Sequence, residues 1–332
     1  MVERGDRMRM TISGDKAKEA LGGLVTNDVA ALRPGTGHRA AALTPKGRVI
    51  ALCRVFDRGS DLLVDCDAAA GEGFASMIRK FVNPRLAKYA IVTDAIDCLG
   101  VYGDGAAAAV ERALERAFGG AHRDAPTGAL GDFDAARLDA LGAFEGIALG
   151  EGEAAVHVVR STDLSVNGFD LFGVKARITE LRAALSTEGL RTASPDEVKV
   201  MRVEAGIPEW GVEMDIETIP QEAVLDDLGA ISFDKGCYTG QEVVARIHFR
   251  GHVNRLLRLL SSATPLAVGA RVIDAAGADV GDVRTSVVSP TRGALAIAMV
   301  RREVEPGGEV TVRDGSGDTR ATISLLSGAL TA

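Results

Sequence analysis

Residues 235–242 read Lys-Gly-Cys-Tyr-Thr-Gly-Gln-Glu, and this short turn is the most informative stretch of the chain. Glycines at positions 236 and 240 let the backbone approach a ligand closely and leave the Cys237 thiol accessible. Lys235 lies two residues before the thiol, and a nearby cation favours the thiolate, which is the form that reacts or binds metal. The stretch therefore predicts a reactive-cysteine loop, with Cys237 and Lys235 as candidate catalytic residues. A turn with a purely structural role is the alternative.

The cysteines of the chain are predicted to be reduced. Cys53, Cys66, Cys98 and Cys237 include no CxxC pair, so the sequence gives no sign of a thiolate site for a metal or cluster. The first three lie in apolar or strand-like surroundings and are expected to be buried. A disulfide scaffold would contain far more cysteines in a shorter chain. These features predict a cytoplasmic protein that binds no metal.

Composition and charge narrow the class of protein. Of the 332 residues, 46% are hydrophobic and 25% are charged, a balance typical of packed globular proteins of two or three domains. The net charge of -8 argues against a surface that coats nucleic acid. No apolar run reaches the roughly 18 residues of a membrane helix, and the charged start argues against a secretory signal. We therefore expect neither a membrane nor a nucleic acid as a direct partner.

A basic run in the second half is the exception to this acidic balance. We expect it to alternate along a strand, with several charges on one face. Such a face could attract a polyglutamate tail or a nucleic-acid phosphate, or it could be a solvated face paired with carboxylates. His248 and His252 lack the acidic residue of an HExxH motif, which argues against metal binding. The run consists of Arg246, His248, Arg250, His252, Arg255 and Arg258.

The periodicity of apolar residues predicts strands that alternate with helices up to about residue 255. One helix begins with Ser194-Pro195-Asp196-Glu197, the pattern of a capping box. From residue 256 onward, short alternating segments between Gly, Pro and Asp turns predict a small all-β barrel or sandwich. The turn Gly103-Asp104-Gly105-Ala106 mimics a dinucleotide-binding turn, but no parallel unit frames it, and a tight strand-to-helix turn is the alternative. The predicted helices span 68–82, 106–118, 174–185 and 194–205.

The octapeptide at 235–242 resembles the signature of the YgfZ family, whose mitochondrial relatives assist iron–sulfur maturation. Further segments resemble that family in the same order, so the similarity covers nearly the whole chain. The stretch 121–152 is the one that the resemblance constrains least. The other similar segments are Leu24–Val29, Leu43–Val49, Arg202–Pro208, Ile219–Ala223 and 280–294.

The resemblance implies the fold of the glycine-cleavage T-protein. This is an α+β fold in which two α/β units enclose a central folate cavity and a small β-barrel follows. The first unit is expected to be discontinuous, over 1–48 and 155–254. The second unit is expected over 49–154 and the barrel over 256–332. The cofactor that the resemblance implies is tetrahydrofolate or a one-carbon derivative.

The resemblance also implies which residues contact the folate. One carboxylate can accept hydrogen bonds from the N–H and the amino group of a pterin, and Asp170 falls where T-protein relatives place such a carboxylate. Arg202 is expected to contact the ring or the glutamyl tail. Glu204 is expected either to bind the folate with it or to hold Arg202 or the helix end. Tyr238 and Gln241 of the octapeptide complete the predicted folate-binding set.

One departure from the T-proteins concerns the mechanism. They resemble this chain around residues 47–55 but carry Asp-Asp where this sequence reads Ala51-Leu52, and one of those aspartates serves catalysis. Without that carboxylate, protonation or charge stabilisation at the folate nitrogen has no evident provider. The glycine-cleavage reaction is therefore expected to be lost while the folate cavity is kept.

The resemblance implies a tetrahydrofolate-binding protein that supports the assembly or repair of iron–sulfur proteins, including radical enzymes that modify tRNA. Two alternatives stay open. One is a folate-dependent one-carbon transferase or demethylase of the aminomethyltransferase superfamily, in which Cys237 or another group replaces the missing aspartate. The other is a non-catalytic adaptor that uses folate as a structural or sensing ligand. The expected partners are folate and iron–sulfur client proteins.

Overall fold

The computed structural model describes residues 1–118, 133–150, 152, 155–315 and 317–326. They form two antiparallel five-stranded sheets with helices on their outer faces, followed by a closed barrel. The predicted α+β class with a C-terminal barrel is confirmed. Within these ranges, no helix is long and apolar enough to cross a membrane.

Five strands form the first sheet, in the order β3-β4-β5-β2-β6. They are β2 (Arg7–Ser13), β3 (Gly37–Leu43), β4 (Val49–Asp57), β5 (Leu62–Asp67) and β6 (Lys88–Ile91). Two helices, α1 (Ala17–Gly22) and α2 (Ala68–Phe81), pack on its outer face. Because both faces of this sheet are covered, β4 is an almost continuously buried run rather than an alternating one.

The second sheet has the order β1-β7-β10-β9-β8. Its strands are β1 (Val2–Glu3), β7 (Ile96–Tyr102), β8 (Gly146–Leu149), β9 (Val156–Ser161) and β10 (Gly168–Val174). The helices α3 (Ala106–Phe118), α4 (Ala135–Asp139) and α5 (Lys175–Thr187) pack on its outer face. β7 is antiparallel to both neighbours, so the Gly103–Ala106 turn does not belong to a parallel β-α-β unit.

The inner faces of the two sheets pack against each other. One end of this interface is apolar, with the rings of Phe56 and Phe172 in contact at a centroid distance of 5.3 Å. The other end is ionic, because Arg54 of β4 forms an ion pair with Asp170 of β10. Since a buried ion is tolerated only when it is paired, this ion pair holds the two inner faces in one relative position.

An irregular segment, 206–240, connects two helices that sit between the sheets and the barrel. These are α6 (Pro195–Ala205) and α7 (Gln241–Arg250). α6 begins with the predicted capping box, in which the Ser194 hydroxyl accepts from the Glu197 backbone N–H and the Glu197 carboxylate accepts from that of Ser194. The expectation of a basic strand was wrong for Arg246, His248 and Arg250, because residues 241–250 are helical. Arg255 and Arg258 do lie on a strand, which spans Arg255–Ser262.

Six strands close into the C-terminal barrel in the order β11-β14-β13-β12-β15-β16. β11 pairs with both β14 and β16, which closes the ring. Gly281 allows β13 and β14 to approach closely, since a Cβ there would lie 2.1 Å from the Met299 carbonyl oxygen. The strands are β11 (Arg255–Ser262), β12 (Arg271–Ile273), β13 (Asp279–Ser289), β14 (Gly293–Arg301), β15 (Glu309–Asp314) and β16 (Gly317–Leu325).

The predicted division into units stays a prediction, but the pairing of strands bears on one of its boundaries. β3 and β4 are neighbours in the first sheet, with Gly37 opposite Phe56. A boundary between residues 48 and 49 therefore separates two strands of one sheet. The predicted variable stretch 121–152 lies partly outside the described residues.

Candidate functional site

A cavity of about 560 Å³ opens between the first sheet, the β9–β10 connection and α6. Its volume lies in the range of roughly 300–1,000 Å³ that small-molecule sites occupy. Its apolar wall residues are Leu52, Leu164, Ala193, Pro195, Val198, Ile207 and Pro208. Its cationic wall residues are Arg4, Arg7, Arg39, Arg54, Lys199 and Arg202. A flat ring can pack against the first group, and an anionic tail can pair with the second.

The floor of this cavity is a cluster of guanidinium and carboxylate groups. Arg54 is 2% exposed, and its Nε donates to Asp65 at 2.9 Å. Its Nη1 donates to Asp163 at 2.8 Å and to Asp170 at 2.5 Å. Arg39 donates to the other oxygen of Asp163 at 2.7 Å. The cluster therefore links strands of both sheets at the floor of the cavity.

Two of the floor carboxylates stay ionised at neutral pH. Burial alone raises the pKa of a carboxyl group, but the guanidinium groups outweigh that effect here. Arg54 and Arg7 hold the pKa of Asp65 well below its usual range, and Arg54 and Arg39 do the same for Asp163. Neither carboxylate can therefore act as a general acid toward a bound ligand.

Asp170 is fully buried and is not a wall residue of the cavity. One of its oxygens accepts from the Tyr102 hydroxyl at 2.7 Å and the other accepts from Arg54. Burial raises the pKa of Tyr102, so the phenol keeps the proton that it donates. The contact of Asp170 with folate stays a prediction, and because this side chain has no exposed surface, the contact would require the residues around it to move.

Arg202 is a wall residue of the cavity, and its predicted contact with folate stays a prediction. Its Nη1 and Nη2 donate to the two oxygens of Glu213 at 3.1 and 3.0 Å. Its Nε lies 3.1 Å from Glu209 Oε2, and Nη1 also donates to the Ile207 carbonyl at 2.7 Å. These contacts fix the guanidinium plane at the end of α6.

Glu204 lies outside this cavity. Its two oxygens accept from the hydroxyls of Ser165 at 2.6 Å and Ser289 at 2.5 Å. It thereby ties α6 to the connection between β9 and β10 and to the barrel, beside a separate groove of about 880 Å³. The structure shows no contact between Glu204 and Arg202, and a role for Glu204 in folate binding stays a prediction.

The octapeptide is also separate from the cavity, because none of residues 235–242 is a wall residue. Lys235 Nζ donates to the backbone carbonyls of Gly22, Val25 and Asn27 at 2.5, 2.7 and 3.0 Å. These bonds use all three N–H donors of the ammonium group, so Lys235 has none left to donate to Cys237. Burial lowers the pKa of Lys235 to about 8.

The remaining octapeptide residues differ in exposure. Cys237 is exposed, whereas Cys53, Cys66 and Cys98 are buried as the sequence predicts. Tyr238 is buried beside Lys235, whose Nζ lies 5.0 Å from its ring centroid. Burial raises the pKa of Tyr238 to about 12. Gln241 is the first residue of α7. Binding of folate by Tyr238 and Gln241, and catalysis by Cys237 and Lys235, stay predictions.

The sequence reasoning missed the charged floor of the cavity. Arg54 lies between the apolar residues 53 and 55 of β4, and Asp65 lies between the apolar residues 64 and 66 of β5. Charged residues are almost never fully buried unless they are paired, so a charge within such a run is a detectable signal of an internal ion pair. Among the described residues, no group of three or more His, Cys, Asp or Glu side chains could hold a metal ion.

No family model matches the chain. A search of solved structures finds the glycine cleavage system aminomethyltransferase T from Bartonella henselae, with a TM-score of 0.80 and 17% sequence identity. The match covers 98% of this chain and 85% of that one. The chain has the aminomethyltransferase T fold.

A curated relative supports the resemblance at the level of sequence. The chain is 35% identical over 131 residues to the tRNA-modifying protein YgfZ of Klebsiella pneumoniae (strain 342). The matched stretch spans 36% of this chain and 38% of that protein. The resemblance to the YgfZ family is confirmed over this stretch.

Within the aminomethyltransferase T fold, the departure at residues 51–52 falls inside the cavity. Leu52 is a wall residue, and Arg54, two positions along β4, is another. Residues two apart on a strand share a face, so both side chains are on the cavity side. Of the two positions at which the T-proteins carry aspartates, the one on the cavity wall therefore presents an aliphatic side chain with a guanidinium beside it.

Proposed function

We propose that the chain binds tetrahydrofolate, or a one-carbon derivative of it, in the central cavity. The observation that carries this proposal is the cavity of about 560 Å³ in an aminomethyltransferase T fold, with apolar walls for a ring and cations for a carboxylate tail. Leu52 and Leu164 can pack against the ring, and Lys199 can pair with a glutamyl carboxylate. Tetrahydrofolate, when bound, supplies a carrier of one-carbon units.

We infer that glycine cleavage is not the reaction of this chain. The Leu52 side chain can neither donate a proton nor stabilise a developing cation. The floor carboxylates Asp65 and Asp163 are held ionised by guanidinium groups and do not supply the missing proton. Cys237 is not a wall residue of the cavity, so the geometry does not favour the alternative of a transferase that uses its thiol on the folate.

We further propose that the folate-bound protein supports the assembly or repair of iron–sulfur proteins in the cytoplasm, with tRNA-modifying enzymes among its clients. Two observations support this role: the octapeptide resembles the YgfZ signature, and the matched relative is a tRNA-modifying protein. The exposed thiol of Cys237 lies outside the cavity wall, where a client protein could reach it while folate stays bound.

Calorimetric titration of the purified protein with tetrahydrofolate tests the cavity. We expect saturable binding with a Kd on the order of micromolar, and none for NAD. Val198→Trp should weaken tetrahydrofolate binding by at least about 10-fold, because the indole fills space between α6 and the sheet.

Val212→Trp is the matched control, since Val212 is 39% exposed and outside the cavity, and it should bind like the parent protein. Absence of tetrahydrofolate binding by the parent would refute the proposal. Equal loss in both variants would show that the added ring acts through the fold and not through the cavity.

A further inference from the structure

A pterin ring bound in this cavity needs a carboxylate that accepts its hydrogen bonds. A pterin presents an N–H and an amino group side by side, and one carboxylate can accept from both. Asp170 already accepts from Tyr102 and Arg54 and has no exposed surface. A ring in the cavity would therefore find its acceptor on a residue that lines the wall.

Most carboxylates of the wall are committed to other partners or lie at its open edge. Asp163 accepts from Arg39 and Arg54 with its two oxygens. Asp67 accepts from Arg7 at 2.6 Å and from the Trp210 backbone N–H at 3.1 Å. Three further wall carboxylates are exposed to solvent at the rim of the cavity: Glu3, Asp6 and Asp196.

Glu209 differs from all of these. It is a half-buried wall residue in the irregular segment after α6, directly behind Ile207 and Pro208 of the apolar wall. Its one described side-chain contact is the ion pair of Oε2 with Arg202 Nε at 3.1 Å. Arg202 in turn directs its Nη1 and Nη2 to Glu213, so it compensates the charge of Glu209 only in part.

The surroundings of Glu209 favour a ligand that donates hydrogen bonds. Burial raises its pKa, and the nearby carboxylates of Asp67 and Glu213 raise it further against the opposite effect of Arg202. Two adjacent N–H donors of a ring can each bond one oxygen of this carboxylate, and they would offset its negative charge.

We propose that Glu209 is the carboxylate that accepts the paired ring donors of the ligand, with the ring packed against Leu52 and Ile207. Asp170 is then the internal counter-ion of Arg54 and not a ligand contact. This inference rests on the proposed cavity. The same donor pair occurs on a 2-amino-4-oxopteridine and on guanine, so the class of ligand is a ring with an amide N–H next to an amino group.

Titration of Glu209→Gln with tetrahydrofolate and with GMP tests the assignment. The substituted amide keeps the shape of the side chain but loses the charge and one acceptor. We expect tetrahydrofolate affinity to fall on the order of 10- to 100-fold, as loss of a charge-assisted hydrogen bond implies, with no GMP binding by the parent. The tetrahydrofolate affinity of Glu209→Asp should lie between those of the parent and Glu209→Gln, because aspartate keeps the charge but is shorter. It also serves as the second variant if Glu209→Gln does not fold.

Glu72→Gln is the matched control, because Glu72 is exposed on α2 and pairs with Arg79. It should bind tetrahydrofolate like the parent. Tetrahydrofolate binding that Glu209→Gln retains in full would overturn the assignment and leave the cavity proposal intact. Binding of GMP alone, lost in Glu209→Gln, would overturn the folate proposal and support the assignment. Binding of neither ligand by the parent would overturn both.

Discussion

The ammonium group of Lys235 connects two segments that the sequence analysis singled out separately. Its three acceptors lie in residues 22–27, next to and within the Leu24–Val29 segment. The Thr239 backbone N–H adds a bond to the Gly23 carbonyl at 3.1 Å. The sequence interpretation gave Lys235 the role of activating the Cys237 thiol. The structure adds a second role, which is to hold the loop that carries this thiol.

Replacement of Lys235 by Met separates these two roles. It leaves three partly buried carbonyls without their donor, so we expect the free energy of unfolding to fall by about 1–3 kcal/mol in urea denaturation. The rate at which Cys237 reacts with a disulfide reagent should not decrease, because a loosened loop keeps the thiol exposed.

A decrease of that rate by 10-fold or more in the folded variant would instead establish Lys235 as the group that activates the thiol. Lys46→Met is the control for loss of a lysine, since Lys46 is an exposed residue in the turn between β3 and β4. It should leave both measurements unchanged.

At the scale of elements, α6 joins most parts of the candidate site. It contributes Val198 and Arg202 to the cavity and Glu204 to the contact with the barrel.

Ser194→Ala removes the hydroxyl that accepts from the Glu197 backbone N–H, and we expect the free energy of unfolding to fall by about 1 kcal/mol in urea denaturation. Ser186→Ala, on an exposed position of α5, should change stability by less than about 0.5 kcal/mol. Equal effects of the two substitutions would mean that the capping box does not stabilise α6.

Elements with their own start or stop signals could be predicted from the sequence. α6 has the capping box, and Pro84 follows the end of α2 closely. α7 could not be predicted, because Arg246, His248 and Arg250 alternate as they would on a strand. Its tertiary contacts are not encoded in local patterns: Val244 is buried, and His248 stacks on Phe233 with ring centroids 3.6 Å apart.

At the scale of the whole molecule, buried ionisable groups make stability depend on pH. Burial, reinforced by Arg58, lowers the pKa of His157 to about 4, against about 6.5 in an unfolded chain. Between these values the unfolded chain binds a proton that the folded protein does not, so stability falls as the pH falls. Asp65 and Asp163 have lowered pKa values, so the stability that they contribute is lost only at lower pH, below about 4.

His157→Gln removes the first of these contributions. We expect the parent to lose about 2 kcal/mol more than this variant between pH 7 and pH 5, measured by urea denaturation at each pH. His252→Gln, at an exposed position, should behave like the parent. The assignment fails if His157→Gln and the parent lose the same free energy over this range.

The candidate site was less predictable than the fold, because its charged residues are brought together by the packing of the two sheets. The resemblance predicted the fold, which follows from the path of the chain, whereas the folate contacts that it implies stay predictions. It did not predict that Arg54 engages Asp163 and Asp170, residues more than 100 positions away along the chain. Which charges neutralise each other depends on how the two sheets face each other, and no local pattern records that.

The closed barrel has a consequence for the order in which the molecule can fold during synthesis. Both sheets contain only strands up to Val174, so they can assemble while the rest of the chain is still being translated. β11 must wait for β16, because the ring of hydrogen bonds closes only when residues 317–325 reach residues 255–262. Until residues 317–325 have left the ribosome, the nascent barrel has open edges that could pair with other chains.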